Sequence, residues 1–275
     1  MRIALLQMTS GIDPAANAAA VVDAAARAAA GGARVLFTPE MTGLLDRKRD
    51  RARPHLTREA DDAVLGAVRA AAAEHGLWIA LGSLALAGET ADERLVNRSL
   101  LIGPDGSVHA RYDKMHLFDV DLATGESWRE SSAYAPGEHA VVADGPEGWR
   151  LGLSVCYDLR FPALYQALSG AGANLIAIPA AFTVPTGAAH WHVLMRARAI
   201  ENAAYVVASA QVGQHEDGRA TYGHSLVVGP WGDVVLDMGE EAGLGFADLD
   251  LAAVEDARAR VPVIAHRRII GDIAA

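Results

Sequence analysis

Ser99-Leu100-Leu101-Ile102-Gly103-Pro104-Asp105-Gly106-Ser107-Val108 returns later in the chain as Ser225-Leu226-Val227-Val228-Gly229-Pro230-Trp231-Gly232-Asp233-Val234. Each copy reads as a strand, a Gly-Pro-x-Gly turn and a returning strand, because Gly supplies positive φ and Pro presets the turn. Two such hairpins in two halves point to two similar sheets. The alternative is chance recurrence of a common turn, since Gly-Pro pairs punctuate many loops. Around the hairpins, short apolar runs alternate with alanine-rich amphipathic stretches, the pattern of an α/β protein. Strands are expected over residues 3–8, 34–37, 77–83, 151–155, 174–178, 205–210, 225–228 and 234–236. Asp13 caps a helix that has Pro14 at its first position and stops at Gly31-Gly32. A second helix is expected from Thr57, with Glu59 to Asp62 in its first turn, to Gly76, and further helices over 162–169 and 190–202. No Pro- or Ser-rich linker separates the halves, so residues 1–275 are expected to form one domain of two packed sheets with helices outside.

With 51% apolar and 21% charged residues, the chain has too much core-forming material for intrinsic disorder. Its single cysteine, Cys156, cannot form an intrachain disulfide or a cysteine cage for zinc. That residue is therefore packing or chemistry. The first apolar run, ended by Gln7, is shorter than a signal peptide or a membrane span requires, so a cytoplasmic protein without membrane contact is expected. A net charge of −10 argues against nucleic acid, which needs concentrated Lys and Arg. The one basic cluster, Arg47-Lys48-Arg49-Asp50-Arg51-Ala52-Arg53, contains an acid and no aromatic residue, and reads as a solvated loop or helix face.

Cys156 ends a strand, and Pro162 marks the next helix start. A nucleophile at such an elbow stands at the carboxyl edge of the sheet, with backbone N–H groups of the following turn facing its substrate. On the cysteine alone, a small buried hydrophobe is the commoner role. Two more residues occupy similar places: Glu40 follows the strand ending at Phe37, and Lys114 follows a hairpin strand. Nucleophile, base and cation together suit attack on an amide or nitrile carbon. A carboxylate near a cation takes the thiol proton, and Lys114 with the Tyr157 N–H stabilises the developing negative charge. A thioester would follow, opened by water that the same Glu activates.

Pro39-Glu40, Tyr112-Asp113-Lys114-Met115-His116 and Cys156-Tyr157-Asp158-Leu159-Arg160-Phe161-Pro162 resemble, in this order, the three motifs of the nitrilase superfamily of carbon–nitrogen hydrolases, over nearly the whole chain. The resemblance implies a Glu-Lys-Cys triad and a second glutamate ahead of a Pro-Gly. Glu130 takes that place before Pro136-Gly137, to orient Lys114 or substrate. It also implies a four-layer α-β-β-α sandwich of two mixed sheets, a homodimer or higher homo-oligomer, a small-molecule amide as substrate, and no cofactor. Lys114 to Asp121, Ala181-Phe182-Thr183, Thr186-Gly187, residues 189–194 and residues 196–201 resemble both deaminated glutathione amidases and omega-amidases. Residues 205–213, Thr221-Tyr222-Gly223-His224-Ser225 and residues 262–268 lean toward the former. The alternatives are an omega-amidase acting on 2-oxo acid amides and an N-carbamoyl amino acid amidohydrolase. Substrate contacts are expected from Tyr157, Arg160, Thr183, His190 and Arg196, with Arg198 a further cation for substrate carboxylates. For each arginine, a helix-surface salt bridge is the competing role.

Other classes fit less well. His190-Trp191-His192 places two histidines at i and i+2, which diverge on a helix, so no metal site is expected. The elbow carries Cys156 where a serine hydrolase has G-x-S-x-G. Gly170-Ala171-Gly172 lacks the rest of a nucleotide fingerprint. A silent interaction scaffold would have no reason to keep Glu40, Lys114, Glu130 and Cys156 together. Pocket shape is expected to depend on loops 44–54, 122–128 and 183–189.

Overall fold

A computed structural model describes residues 1–88, 94–121, 125 and 127–271. Twelve strands make two six-stranded sheets. The first contains β1 (Arg2–Gln7), β2 (Val35–Phe37), β3 (Trp78–Ala87), β4 (Leu95–Ile102) and β5 (Val108–Asp113). The second contains β6 (Val141–Asp144), β7 (Arg150–Leu153), β8 (Leu175–Ala177), β9 (Tyr205–Ala208), β10 (Leu226–Val228) and β11 (Val234–Asp237). The last strand, β12 (Gly243–Asp248), goes back to the first sheet and pairs antiparallel with β1. The sheet orders are thus β12-β1-β2-β3-β4-β5 and β11-β10-β9-β8-β7-β6.

Each sheet has the same plan: three parallel strands, then an antiparallel hairpin. The repeated decapeptides are those hairpins, β4-β5 and β10-β11. Their turns are superimposable in hydrogen bonding. The Gly103 N–H donates to Ser107 O at 2.8 Å and the Gly106 N–H to Gly103 O at 2.9 Å, while Gly229 donates to Asp233 O and Gly232 to Gly229 O, both at 2.9 Å. Gly106 and Gly232 take φ of +77° and +90°, conformations that glycine adopts at little cost.

Alternation along the strands sorts the apolar side chains. On β1, Ile3 and Leu5 face the second sheet while Ala4 and Leu6 face the helices α1 (Pro14–Ala30) and α2 (Ala63–His75). The second sheet is covered on its outer side by α3 (Pro162–Gly170) and α4 (Val184–Asn202), and α5 (Leu251–Arg260) follows β12. The architecture is therefore the four-layer α-β-β-α sandwich of two mixed sheets. No helix among the described residues is long and apolar enough to cross a membrane.

Two helix starts differ from expectation. The helix placed at Thr57 begins at Ala63, where the Asp62 carboxylate accepts from the Leu65 N–H at 2.7 Å; Glu59–Asp61 is a 3-10 turn. Glu59 serves Arg98 and Arg111 at 2.9 and 2.7 Å instead of the helix terminus. The helix placed over 190–202 begins at Val184, since Pro185 needs no N–H partner in a first turn.

Candidate active site

The carboxyl ends of β2, β5 and β7 carry the three residues singled out by sequence, and the two sheets bring them to one cavity of ≈ 260 Å³ lined by Glu40, Lys114, Glu130 and Cys156. Glu40 stands three residues beyond β2, Lys114 one beyond β5, and Cys156 opens the 3-10 turn Cys156–Arg160 after β7. Cys156 takes φ +47°, left-handed backbone that a side chain seldom adopts. Its N–H donates to Pro179 O at 2.9 Å, which anchors the elbow to the end of β8.

Around Lys114 the charges interlock. Its Nζ lies 2.9 Å from Glu40 Oε1 and 2.9 Å from Glu130 Oε2. Burial would push this ammonium down, but the Glu130 and Glu40 carboxylates more than offset that and hold it well above an ordinary lysine. Glu40 also accepts from the Ala181 N–H at 3.0 Å through Oε2. The Cys156 thiol is pushed up, first by burial and then by the Glu40 charge, which outweighs the pull of Lys114; its hydrogen bond to Glu40 acts in the same sense. At rest the sulfur is therefore protonated, with the carboxylate beside it.

Sequence reasoning missed two structural supports. Asn97, on β4, donates from Nδ2 to Glu40 Oε1 at 2.9 Å and to Glu130 Oε1 at 3.1 Å, so one amide aligns both carboxylates. A polar residue in a strand carries no signal of this. Asp158 is fully buried and accepts from the Val155 N–H at 2.8 Å, the His116 N–H at 3.0 Å and the Tyr112 hydroxyl at 2.7 Å. It clamps the Cys156 turn to the segment carrying Lys114, across the two sheets. Its place inside the cysteine motif was the available signal.

The expected substrate residues divide. Tyr157, Arg160 and Thr183 line the cavity. His190 does not line it, but its Nδ1 lies 3.3 Å from Arg160 Nη1. Arg196 is elsewhere: its Nε donates to Gly232 O at 2.7 Å, fixing α4 to the β10-β11 turn. Arg198 is buried beneath the elbow, donating to Leu159 O at 2.9 and 2.7 Å and pairing with Glu201 at 2.9 Å. Both correct the expectation, because helical phase directs them away from the cavity. The basic cluster is largely exposed, as read, and it also borders the cavity, as expected of loop 44–54. Arg47 and Arg49 line the cavity, together with Leu44, Leu45 and Asp46. Of loop 122–128, residues 122–124 and 126 lie outside the described residues, and Trp128 is part of the lining.

Among the described residues, His192, His224 and Asp237 form a group able to hold a metal ion, with ligand atoms within 4.8 Å of one another. None of the three lines the cavity. His192 Nε2 and His224 Nδ1 each lie 2.9 Å from an Asp237 carboxylate oxygen, which pins α4 to β11.

Similarity to known proteins agrees with this geometry. A deaminated glutathione amidase of Yersinia enterocolitica is 39% identical over 272 residues, 98% of this chain and 94% of that one. The protein of that name from Homo sapiens is 39% identical over 269 residues, 97% and 82% of the two chains. Among solved structures, the Caenorhabditis elegans NitFhit protein has a TM-score of 0.88 at 39% identity, covering 97% of this chain and 65% of that one. A mutant amidase from Nesterenkonia sp. AN1, with acrylamide added at its active site cysteine, has a TM-score of 0.79 at 32% identity, covering 95% and 98%. The carbon-nitrogen hydrolase family matches residues 2–259, and the chain belongs to that family.

Proposed function

We propose that this amidase hydrolyses the amide bond of deaminated glutathione or a close analogue, releasing a 2-oxoglutarate unit and cysteinylglycine, through a thioester on Cys156. The observation that carries the mechanism is the placement of one carboxylate, Glu40, against both the Cys156 thiol and the Lys114 ammonium. The substrate rests on the relatives of that name and on the arginines of the cavity.

As sulfur attacks the carbonyl carbon, the thiol proton passes to Glu40, so a thiolate need not accumulate at the high resting value. The carbonyl π pair moves to oxygen. Lys114 and the Tyr157 N–H stabilise that oxyanion in a site where water screens little. Collapse of the intermediate expels the amine, which takes the proton from Glu40, and the acyl group remains as a thioester. Glu40 next accepts a proton from water, the hydroxide equivalent attacks the thioester carbon, and the sulfur leaves with that proton. Glu130 holds Lys114 in place throughout. Its Oε2 also accepts from the Phe118 N–H at 2.7 Å, which keeps it from following the proton.

We infer that the enzyme works as a homodimer. Val193 and Ile200 are exposed one heptad apart on α4, and Trp231, Val234 and Val235 are exposed on the adjoining hairpin. Ile200 packs against Gly232, so the two groups form one apolar patch of the kind that marks an interface.

The substrate test compares kcat/KM for deaminated glutathione, an omega-amide of a 2-oxo acid and an N-carbamoyl amino acid, since specificity is a ratio. Deaminated glutathione is expected to lead, and Cys156→Ala to abolish all three activities. Equal activity of Cys156→Ala and the parent sinks the mechanism, and a lead by either other substrate sinks the assignment.

A further inference from the structure

Five arginines, Arg47, Arg49, Arg129, Arg160 and Arg219, line the cavity of a chain with net charge −10. Two are neutralised locally. Arg129 pairs with Asp121 at 2.8 Å, and Arg219 with the buried Asp217 at 2.6 Å. Within the basic cluster Arg51 is also engaged, by Asp46 at 2.5 and 2.8 Å. Of the remaining three, Arg49 and Arg160 have no carboxylate partner among the described residues, and Arg47 has only a long contact to Asp217, which Arg219 already engages. Arg160 is half-buried, in the same turn as Cys156, with its guanidinium 5.9 Å from the Tyr157 ring and 5.4 Å from the Phe182 ring. Arg47 and Arg49 are exposed at the mouth. Arg49 donates to the Ser132 hydroxyl, and Arg47 reaches Asp217 only at 4.0 Å.

The mouth is organised around Trp128. Arg47 and Arg219 lie 5.3 and 5.1 Å from its ring, which holds their planes by cation–π contact. The buried indole N–H of Trp128 has no hydrogen-bond partner among the described residues. Oriented guanidiniums and an unsatisfied N–H on one wall are a donor set for an anion.

Depth decides which part of the substrate each cation meets. The acyl half stays bonded to Cys156 after the first step, so a cation in the cysteine's own turn faces the half that stays. The amine departs to solvent, so cations at the exposed mouth face the half that leaves. We propose that Arg47 and Arg49 form a second anion subsite that binds a carboxylate carried by the leaving amine, while Arg160 binds the carboxylate of the acyl half. The substrate class is then an amide with an anion on each side of the scissile bond, and the C-terminal carboxylate of a short peptide suits the mouth. This rests on the amidase reading above and adds the residues that select against neutral leaving groups.

The test uses two substrates with the same acyl group: its cysteinylglycine amide with a free terminal carboxylate, and the same compound with that carboxylate converted to a carboxamide. The enzyme is expected to prefer the free acid in kcat/KM, mainly through KM. Arg47→Ala/Arg49→Ala should reduce that preference about tenfold, and Arg49→Lys should retain part of it. In the unaltered enzyme, raising ionic strength toward about 1 M, where the Debye length is ~3 Å, should shrink the same preference. A preference unchanged within twofold by both the double variant and salt overturns the subsite. Calorimetric binding of the two compounds to Cys156→Ala reads the subsite without turnover. Failure of the cysteine mechanism, seen as residual hydrolysis by that variant, is thereby separated from failure of the subsite, seen as equal affinity for the two compounds.

Discussion

At Cys156 the backbone is left-handed and the thiol is held protonated by burial and by Glu40. In the proposed mechanism Glu40 therefore has two opposite effects: it withholds the thiolate at rest and removes the proton when the carbonyl arrives. Replacing it separates them. Glu40→Gln should lower amide kcat/KM by about 10²–10⁴-fold through loss of the base. Removing the negative charge should also let the thiol ionise more easily. Acrylamide, which needs only a thiolate at its β-carbon, should then label Cys156 faster at pH 7 in Glu40→Gln than in the parent, as followed by intact mass. Slower labelling would show that Glu40 does not raise the thiol. The residues of the proposed mechanism were legible because each sits in a local motif at a strand end. Asn97 was not, because its role lies in facing two carboxylates from other segments. Arg47 and Arg49 are exposed, as a charge run suggests, but that the fold sets them beside the cavity is a tertiary fact their local sequence does not carry.

Among the elements, β3 constrains the proposed base most directly. A Cβ on Gly82 would lie 2.1 Å from the Thr38 carbonyl oxygen and 2.2 Å from that of Pro39, both backbone atoms of the segment leading to Glu40. Gly82→Ala must push that segment away. It should cost about 1–3 kcal/mol as overpacking, a fall in Tm of about 2–12 °C by melting, and at least about tenfold in kcat because the base is displaced. A variant with parental kcat would show that Glu40 tolerates the shift. At this scale the hairpins were readable, since Gly-Pro-x-Gly chemistry is local and both turns form the bonds it dictates. Helix starts were harder. Thr57 and Glu59 look like a helix start, yet Glu59 is taken by Arg98 and Arg111 from β4 and β5, a contact no local pattern announces.

For the whole molecule, the α4 and β10-β11 patch would join the proposed dimer to the candidate site, because α4 begins beside Thr183 and Thr186 in the cavity wall. Val193→Asp/Ile200→Asp should convert the proposed dimer to a monomer in size exclusion with light scattering. A dimer that persists would move the interface elsewhere. The return of β12 to β1 has a different consequence, for the order in which a ribosome delivers the parts. β1 is made before every other strand of the two sheets, and its outer edge is closed only by residues 243–248, with the Met1 amine bonded to Leu249 O at 2.7 Å. Until residues 243–248 have emerged, the nascent protein carries an open strand edge on β1. The sheet that begins first is thus completed after the second sheet.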